Sequence, residues 1–308
     1  MTSFIEKFKI PYNESVEWDR TVGRPEVERL GLCGKIIPSR GTEHIRRKQS
    51  LRNLGYLTEE GSTYLDKVRE DGFQDCICMK EKGHDGPCAK TPYKPKGVDK
   101  ITKGIIQKIT DPHNNPGGDP NCLQNRGGSR NGDIQLDSVN EKLIRKTNKE
   151  IGVKPENCNL GIRLAMGASK YMMALAYLDM MACIYNVKDA KSLFNFPSAF
   201  EKIVQQRWKE LKDYYNEKRL PIFDSNDNFQ DPILGITIDI DWFGKGHEDL
   251  MGIQFGHVDP INEDKWMTRP FNVLPITRKT NLIQSNDSLF NVMLNMYDCV
   301  SKHKQRYS

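Results

Sequence analysis

Two stretches near the C-terminus decide the fold of this chain: IQFGHVDPI at 253–261 and RPFNVLPITRKTNLIQSND at 269–287. The first has the apolar, β-prone character of a strand, and that strand carries His257 near its end. A polar loop follows, and the second stretch then begins with a short strand around Val273. From about Thr280 the apolar spacing becomes helical. The two stretches therefore predict a β-hairpin followed directly by a helix.

This layout suits the metal-assisted cleavage of a phosphodiester. Cleavage of a phosphodiester needs an activated water, a divalent cation on the phosphate and a place for the leaving oxygen. A histidine near a strand end, such as His257, can act as the base, because its ordinary pKa is about 6.5. A side-chain oxygen on the following helix can hold Mg²⁺, which prefers oxygen ligands. A hairpin followed by a helix brings two such groups together from separate parts of the chain.

The order G-H-[VI]-x-P, then N-V, then N-x-x-Q-x-N-D resembles the HNH nucleases of the restriction-endonuclease kind, in their H-N-N form. The resemblance covers about 50 of the 308 residues. It implies that His257 is the general base and that Asn272 braces the loop by hydrogen bonds to the backbone. It further implies that Asn281 is the metal ligand on the helix. Gln284 stands where many members have a basic or amide residue near the phosphate.

The chain departs from the family at Gly256, where many HNH sites have an Asp or His as a second metal ligand. Two arrangements stay open for the catalytic Mg²⁺ or Mn²⁺. Either Asn281, waters and the phosphate hold the ion, or Asp259 or another carboxylate helps, since Asp259 shares a strand face with His257. Three basic residues flank the set and are expected to contact DNA phosphates, or else to form a solvated face: Arg269, Arg278 and Lys279.

A second group of metal-binding residues has the spacing C-x-C-x5-H-x3-C over 76–88. Its four side chains can surround one tetrahedral Zn²⁺ in a closed, structural site: Cys76, Cys78, His84 and Cys88. Gly83 and Gly86 allow the tight turns that so short a loop needs. The block resembles the small zinc knuckles of nucleic-acid-binding proteins. Cys122 is an alternative ligand, and free cysteines with a surface histidine in a loop are the alternative interpretation.

The remaining sequence predicts four regions. They are a DNA-binding region over 1–75, the zinc knuckle with a basic linker over 76–135, a helical region over 136–230 and the HNH-like module over 231–308. The string LGYLTEEG at 54–61 in the first resembles a winged-helix turn, and a helix capped by Thr58 is the alternative.

Within the helical region the apolar run 164–185 predicts a buried helix. Ser198 and Glu201 fit a capping box for a second helix. That helix has one apolar stripe, formed by Val204, Trp208, Leu211 and Tyr215. The β-branched residues over 233–240 predict a strand.

Together these features predict an α+β protein: a C-terminal ββα-metal, HNH-like nuclease module on a helical middle, with a small zinc-knuckle segment. The resemblance implies a site-specific endonuclease on double-stranded DNA, acting as a homodimer and paired with a cognate DNA methyltransferase. A monomeric homing or nicking HNH enzyme, or a non-catalytic zinc-dependent DNA-binding protein with a decayed nuclease fold, are the alternatives. The net charge of +5 is only mildly basic and does not decide between them. No segment has the pattern of a signal peptide, so we expect a cytoplasmic location.

Overall fold

The computed structural model describes residues 13–38, 75–89, 169–245, 249–259, 269–285 and 287–307. These residues belong to two compact units, the first comprising the described residues up to 174 and the second those from 175 onward. The winged-helix-like string, the predicted basic linker beyond Ala89, Cys122 and the polar loop over 260–268 lie outside the described residues.

The first unit is built around a short two-stranded sheet. A π-helical turn over Asp19–Gly23 leads into helix α1 (Arg24–Arg29), and Pro25 suits the first turn of a helix because it needs no amide hydrogen there. Strand β1 (Ile36–Ile37) pairs antiparallel with strand β2 (Cys76–Ile77). The apolar residues at the centre of this unit are buried: Val27, Leu30, Leu32, Ile77, Cys78 and Met79.

Two long helices follow in the chain. Helix α2 (Lys170–Tyr185) confirms the predicted buried helix, since its apolar residues are nearly all inaccessible to solvent. Helix α3 (Ser198–Glu217) confirms the second, and every member of its predicted apolar stripe is buried. The predicted capping box is wrong: Pro197 is the N-cap and makes no side-chain bond. Glu201 instead accepts a hydrogen bond of 2.5 Å from the hydroxyl of Tyr185.

The strand predicted over 233–240 is wrong. The chain there forms a turn and isolated bridges, and a 3-10 helix follows over Ile240–Gly244. The reason is Asp231, whose carboxylate accepts hydrogen bonds from the backbone amides of Ile233 and Leu234 at 3.1 and 2.9 Å. Gly235 then takes a φ of 61°, so the backbone turns where the β-branched composition favoured extension.

The C-terminal part has the predicted order of strand, strand and helix. Strand β3 (Ile253–His257) pairs antiparallel with β4 (Val273–Thr277), with His257 opposite Val273 and Ile253 opposite Thr277. Helix α4 (Arg278–Gln284) follows β4 at once, and the Thr277 hydroxyl caps it by accepting from the amide of Thr280 at 3.1 Å.

Helix α5 (Leu289–Tyr307) completes the described chain. The architecture is thus a mixture of helices with small sheets, and membership of the HNH family stays a proposal. No helix in the described ranges is both long enough and apolar enough to cross a membrane.

Candidate metal centre and hairpin site

Four side chains of the first unit meet at one point. The ligand atoms of Cys33, Cys78, His84 and Cys88 all lie within 4.8 Å of one another. The Nε2 atom of His84 is 3.3 Å from the Cys78 sulfur and 3.9 Å from the Cys88 sulfur. Three thiol groups and one imidazole at such separations could hold a metal ion.

One member of this cluster differs from the sequence prediction, because Cys33 takes the place expected for Cys76. Residues 33–35 run beside 78–80: the Cys33 amide donates to the carbonyl of Lys80 at 2.7 Å, and the Cys78 amide donates to that of Lys35 at 2.8 Å. This pairing places Cys33 beside Cys78. Cys76 lies two residues away in β2, opposite Ile37, and is outside the cluster.

The local backbone supports metal binding. Gly83 and Gly86 have φ values of 82° and 76°, so the tight turns predicted at these glycines are confirmed. The Nδ1 atom of His84 faces the carbonyl of Asp85 at 3.2 Å, and a carbonyl can only accept, so Nδ1 carries the hydrogen and Nε2 is left as a ligand. Burial raises the pKa of the Cys78 thiol to about 11, so a metal ion that binds it as a thiolate would release a proton.

In the second unit, His257 ends strand β3. Its Nε2 atom is buried and has no hydrogen-bond partner among the described residues. Burial lowers the pKa of His257 to about 4, so the ring is neutral at pH 7, which is the form that a general base requires. The strand end is held by Gln284, whose amide donates to the carbonyl of His257 at 2.5 Å and to that of Val258 at 3.3 Å. Gln284 is itself buried, so the structure gives it a bracing position.

Asn272 makes hydrogen bonds to the backbone, as the resemblance implied for this residue. It is fully buried, its Oδ1 accepts from the amide of Asp259 at 2.8 Å, and its Nδ2 donates to the carbonyl of Asp259 at 3.2 Å. The Asp259 carboxylate is also engaged, because it lies 2.7 Å from the guanidinium of Arg269. A cation at Asp259 would have to compete with this ion pair. Of the other two basic residues, Arg278 is partly exposed and Lys279 is exposed.

Asn281 lies on helix α4 against strand β3. Its Nδ2 donates to the side-chain oxygen of Gln254 at 2.7 Å. Its Oδ1 is 3.8 Å from the position that a Cβ on Gly256 would occupy. That same Cβ would meet Cδ1 and Cγ1 of Ile276, so a side chain at position 256 would require Ile276 to shift. No hydrogen bond within the described residues joins the His257 ring to Asn281.

No protein-family model, curated protein or solved structure matches this chain. The function of the chain is therefore inferred from the geometry of the two sites.

Sequence reasoning missed the residues that support the loop before β4. Phe271 has a φ of 61°, which is unusual for a non-glycine residue. Its amide donates to the buried carboxylate of Asp179 at 2.6 Å, and its carbonyl accepts from the hydroxyl of Tyr215 at 2.8 Å. Asp179 also accepts from the buried Arg207 at 2.5 Å, and the Arg207 guanidinium lies 4.1 Å from the centre of the Phe271 ring. The charge of Asp179 within an apolar helix was the available signal.

A second buried carboxylate fixes helix α4 to the rest of the unit. Asp231 accepts from the amide and the hydroxyl of Thr277 at 2.9 and 2.8 Å. It also accepts from the hydroxyl of Thr280 at 2.5 Å. These bonds hold the junction between β4 and α4, and so they set the position from which Asn281 extends.

Proposed function

We propose that this chain is a metal-dependent DNA endonuclease in which His257 is the general base and Asn281 holds a catalytic Mg²⁺ or Mn²⁺. The observation that carries the proposal is the meeting of helix α4 with strand β3: the Asn281 oxygen faces the strand at Gly256, immediately before His257. The amide oxygen is a hard ligand of the kind that these ions prefer. The buried and unpartnered Nε2 of His257 fits a base that receives a proton.

Each residue then has a distinct task. His257, neutral at pH 7, takes a proton from the attacking water. Asn272 and Gln284 hold the backbone at and just after the end of β3, so the chain that carries the imidazole is in place before the substrate arrives. Lys279 is exposed and can pair with a DNA phosphate. The cation, when bound, would polarise the scissile phosphate and stabilise the charge on the leaving oxygen.

We assign Zn²⁺ to the Cys₃His cluster, in a structural role. Three thiolates and one imidazole form a closed tetrahedral shell with no open position, which is typical of structural zinc. The cluster joins Cys33 to the short segment that carries Cys78, His84 and Cys88. That segment is too short to bury a core of its own, so metal binding would supply much of its folding free energy.

The expected substrate is double-stranded DNA. A homodimer would place one such site on each strand, as in restriction enzymes that work with a cognate methyltransferase. A non-catalytic, zinc-dependent DNA-binding protein is the second candidate function. It is favoured by the Asp259–Arg269 ion pair and by the lack, within the described residues, of a second group of acidic or imidazole ligands near His257.

Cleavage of supercoiled plasmid with Mg²⁺ or Mn²⁺ tests the proposal. We expect the wild-type protein to produce nicked or linear DNA, and His257→Ala to lose about two to four orders of magnitude in rate while it still binds DNA. Asn281→Ala should also lose cleavage. Matched controls are His303→Ala and Asn291→Ala, which alter exposed residues of helix α5 and should leave the rate unchanged.

Two results would contradict the proposal. Cleavage by His257→Ala at more than about half the wild-type rate would remove His257 from the mechanism, given the loss expected of a general base. DNA binding by the wild-type protein with no cleavage in either metal would favour the non-catalytic candidate.

A further inference from the structure

The amide of Asn281 has two different ends. Only its oxygen can bind a cation, whereas its NH₂ group would repel one. In the structure the two ends are distinguished, because the NH₂ group donates to the Oε1 atom of Gln254 at 2.7 Å. The oxygen is thereby turned away from Gln254, and it lies 3.8 Å from the Cβ position of Gly256.

We propose that Gln254 is a positioning residue that fixes which end of the Asn281 amide faces the catalytic cation. This inference rests on the nuclease function proposed above. It concerns how the metal site is held together rather than whether the reaction occurs.

The location of Gln254 explains how it can do this. Gln254 and Gly256 are two residues apart on β3, so they share one strand face, the face on which Asn281 lies. Gly256 itself places no side chain beside the Asn281 oxygen, the end of the Ile276 side chain lies in that space, and Gln254 occupies the NH₂ group. Rotation of the Asn281 amide alone by half a turn would break the hydrogen bond to the Oε1 atom of Gln254 and present the NH₂ group to the cation.

Gln254 is also uncharged, so it can orient the Asn281 amide without itself attracting the cation. A carboxylate at this position would orient Asn281 and attract the cation, so the two effects would be mixed. A neutral acceptor contributes orientation alone, as second-shell partners of metal ligands commonly do. The site therefore keeps a neutral ligand set on the protein and depends on the DNA phosphate for much of its attraction for the cation.

Four variants test the proposal through the Mn²⁺ concentration that gives half-maximal plasmid cleavage. Gln254→Leu removes the acceptor and should raise that concentration about ten- to a hundredfold, with a much smaller change in rate at saturating Mn²⁺. Gln254→Glu keeps an acceptor and should not raise it. Gln254→Lys offers a donor instead, which favours the inverted amide, and should be at least as impaired as Gln254→Leu. Gln206→Leu, at an exposed position on helix α3, is the control.

The decisive variant combines Gln254→Leu with Asn281→Asp. A carboxylate presents oxygen at both ends, so it needs no orienting partner, and the double variant should regain the Mn²⁺ requirement of Asn281→Asp alone. A merely structural role for Gln254 predicts no such rescue. An unchanged Mn²⁺ requirement in Gln254→Leu, or a double variant that stays as impaired as Gln254→Leu, overturns the proposal.

A measurement independent of cleavage separates this proposal from the nuclease function. In NMR spectra of the DNA-free protein, one hydrogen of the Asn281 side-chain amide should exchange slowly with water because Gln254 holds it, and Gln254→Leu should abolish that protection. Equal exchange in both proteins overturns the positioning role. A wild-type protein that cuts no DNA, with the protection present and sensitive to Gln254→Leu, overturns the nuclease function and leaves the orientation of Asn281 supported.

Discussion

Replacement of Cys33 by serine is the change that best distinguishes the metal cluster in the structure from the one that spacing predicts. Serine has nearly the shape of cysteine but provides a poor ligand for Zn²⁺ in a thiolate site. Cys76→Ser is a matched control, since Cys33 and Cys76 are both partly exposed. We expect about one zinc per chain in the wild-type protein and in Cys76→Ser, and a clear loss of zinc in Cys33→Ser.

The size of the effect on stability follows from the chain that the metal would close. Cys33 and Cys78 are 45 positions apart in the sequence. Cross-linking a loop of that length removes conformational entropy of the unfolded chain worth about 4 kcal/mol. If Cys33→Ser opens this loop, amides that depend on the link should exchange with water nearly a thousandfold faster. The amides of Cys33 and Cys78, which are hydrogen-bonded across the pairing, are the ones to follow.

Three measurements check this prediction. Elemental analysis gives the zinc content, the charge-transfer bands of the Co²⁺-substituted protein report the number of thiolate ligands, and hydrogen exchange reports local stability. Loss of zinc from Cys76→Ser with full retention in Cys33→Ser would refute the reasoning and restore the ligand set that spacing predicts. Full zinc content in both variants would show that neither thiol is required.

Four further predictions concern the second unit. The acid limb of kcat/KM should lie near pH 4 rather than 6.5, because burial lowers the pKa of His257 to about 4. The pKa of His257 is lower in the folded protein than in the unfolded chain, so folding is favoured above pH 6.5 and this contribution is lost as the pH falls towards 4. Measured by denaturation and compared with His257→Gln, the loss in the free energy of unfolding should be at most about 3 kcal/mol. Asp179→Asn should lower the free energy of unfolding in urea by about 3 kcal/mol, because buried Arg207 loses the charge of Asp179 and keeps its ion pair with Glu210. Asp213→Asn on the exposed side of α3 should change little. Equal effects of the two substitutions would contradict the role of Asp179 in holding Phe271. Calorimetric titration of Mg²⁺ into DNA-free protein should show weak binding, and Asn281→Asp should strengthen it. If the wild-type protein binds Mg²⁺ tightly and Asn281→Ala binds it equally tightly, other ligands hold the metal.

The elements that sequence predicted well are those in which local pattern and burial agree. The apolar spacing of helix α3 placed Trp208 and Leu211 in the core, where the structure has them. The hairpin and helix around His257 and Asn281 were predicted in order because each segment has its own periodicity. Family membership and catalytic activity stay predictions.

The features that could not be predicted depend on contacts between distant parts of the chain. Cys33 has no cysteine or histidine near it in sequence, and only the pairing of 33–35 with 78–80 brings it to the cluster. Composition over 233–240 favoured a strand, but the hydrogen bonds of Asp231 to the following amides stabilise a turn. The ion pair of Asp179 with Arg207 spans 28 positions, so no local pattern could indicate it.

The contact between Gly256 and Ile276 restricts how mutations could add an acidic side chain next to His257. Replacing Gly256 with aspartate would place a carboxylate next to His257, but its Cβ would meet Cδ1 and Cγ1 of the fully buried Ile276, whose side chain would have to shift. A smaller residue at 276 would make room for that carboxylate, but by itself it would leave a cavity that costs about 1 kcal/mol. The two substitutions are therefore epistatic, and a lineage that acquires them one at a time must pass through a less stable intermediate.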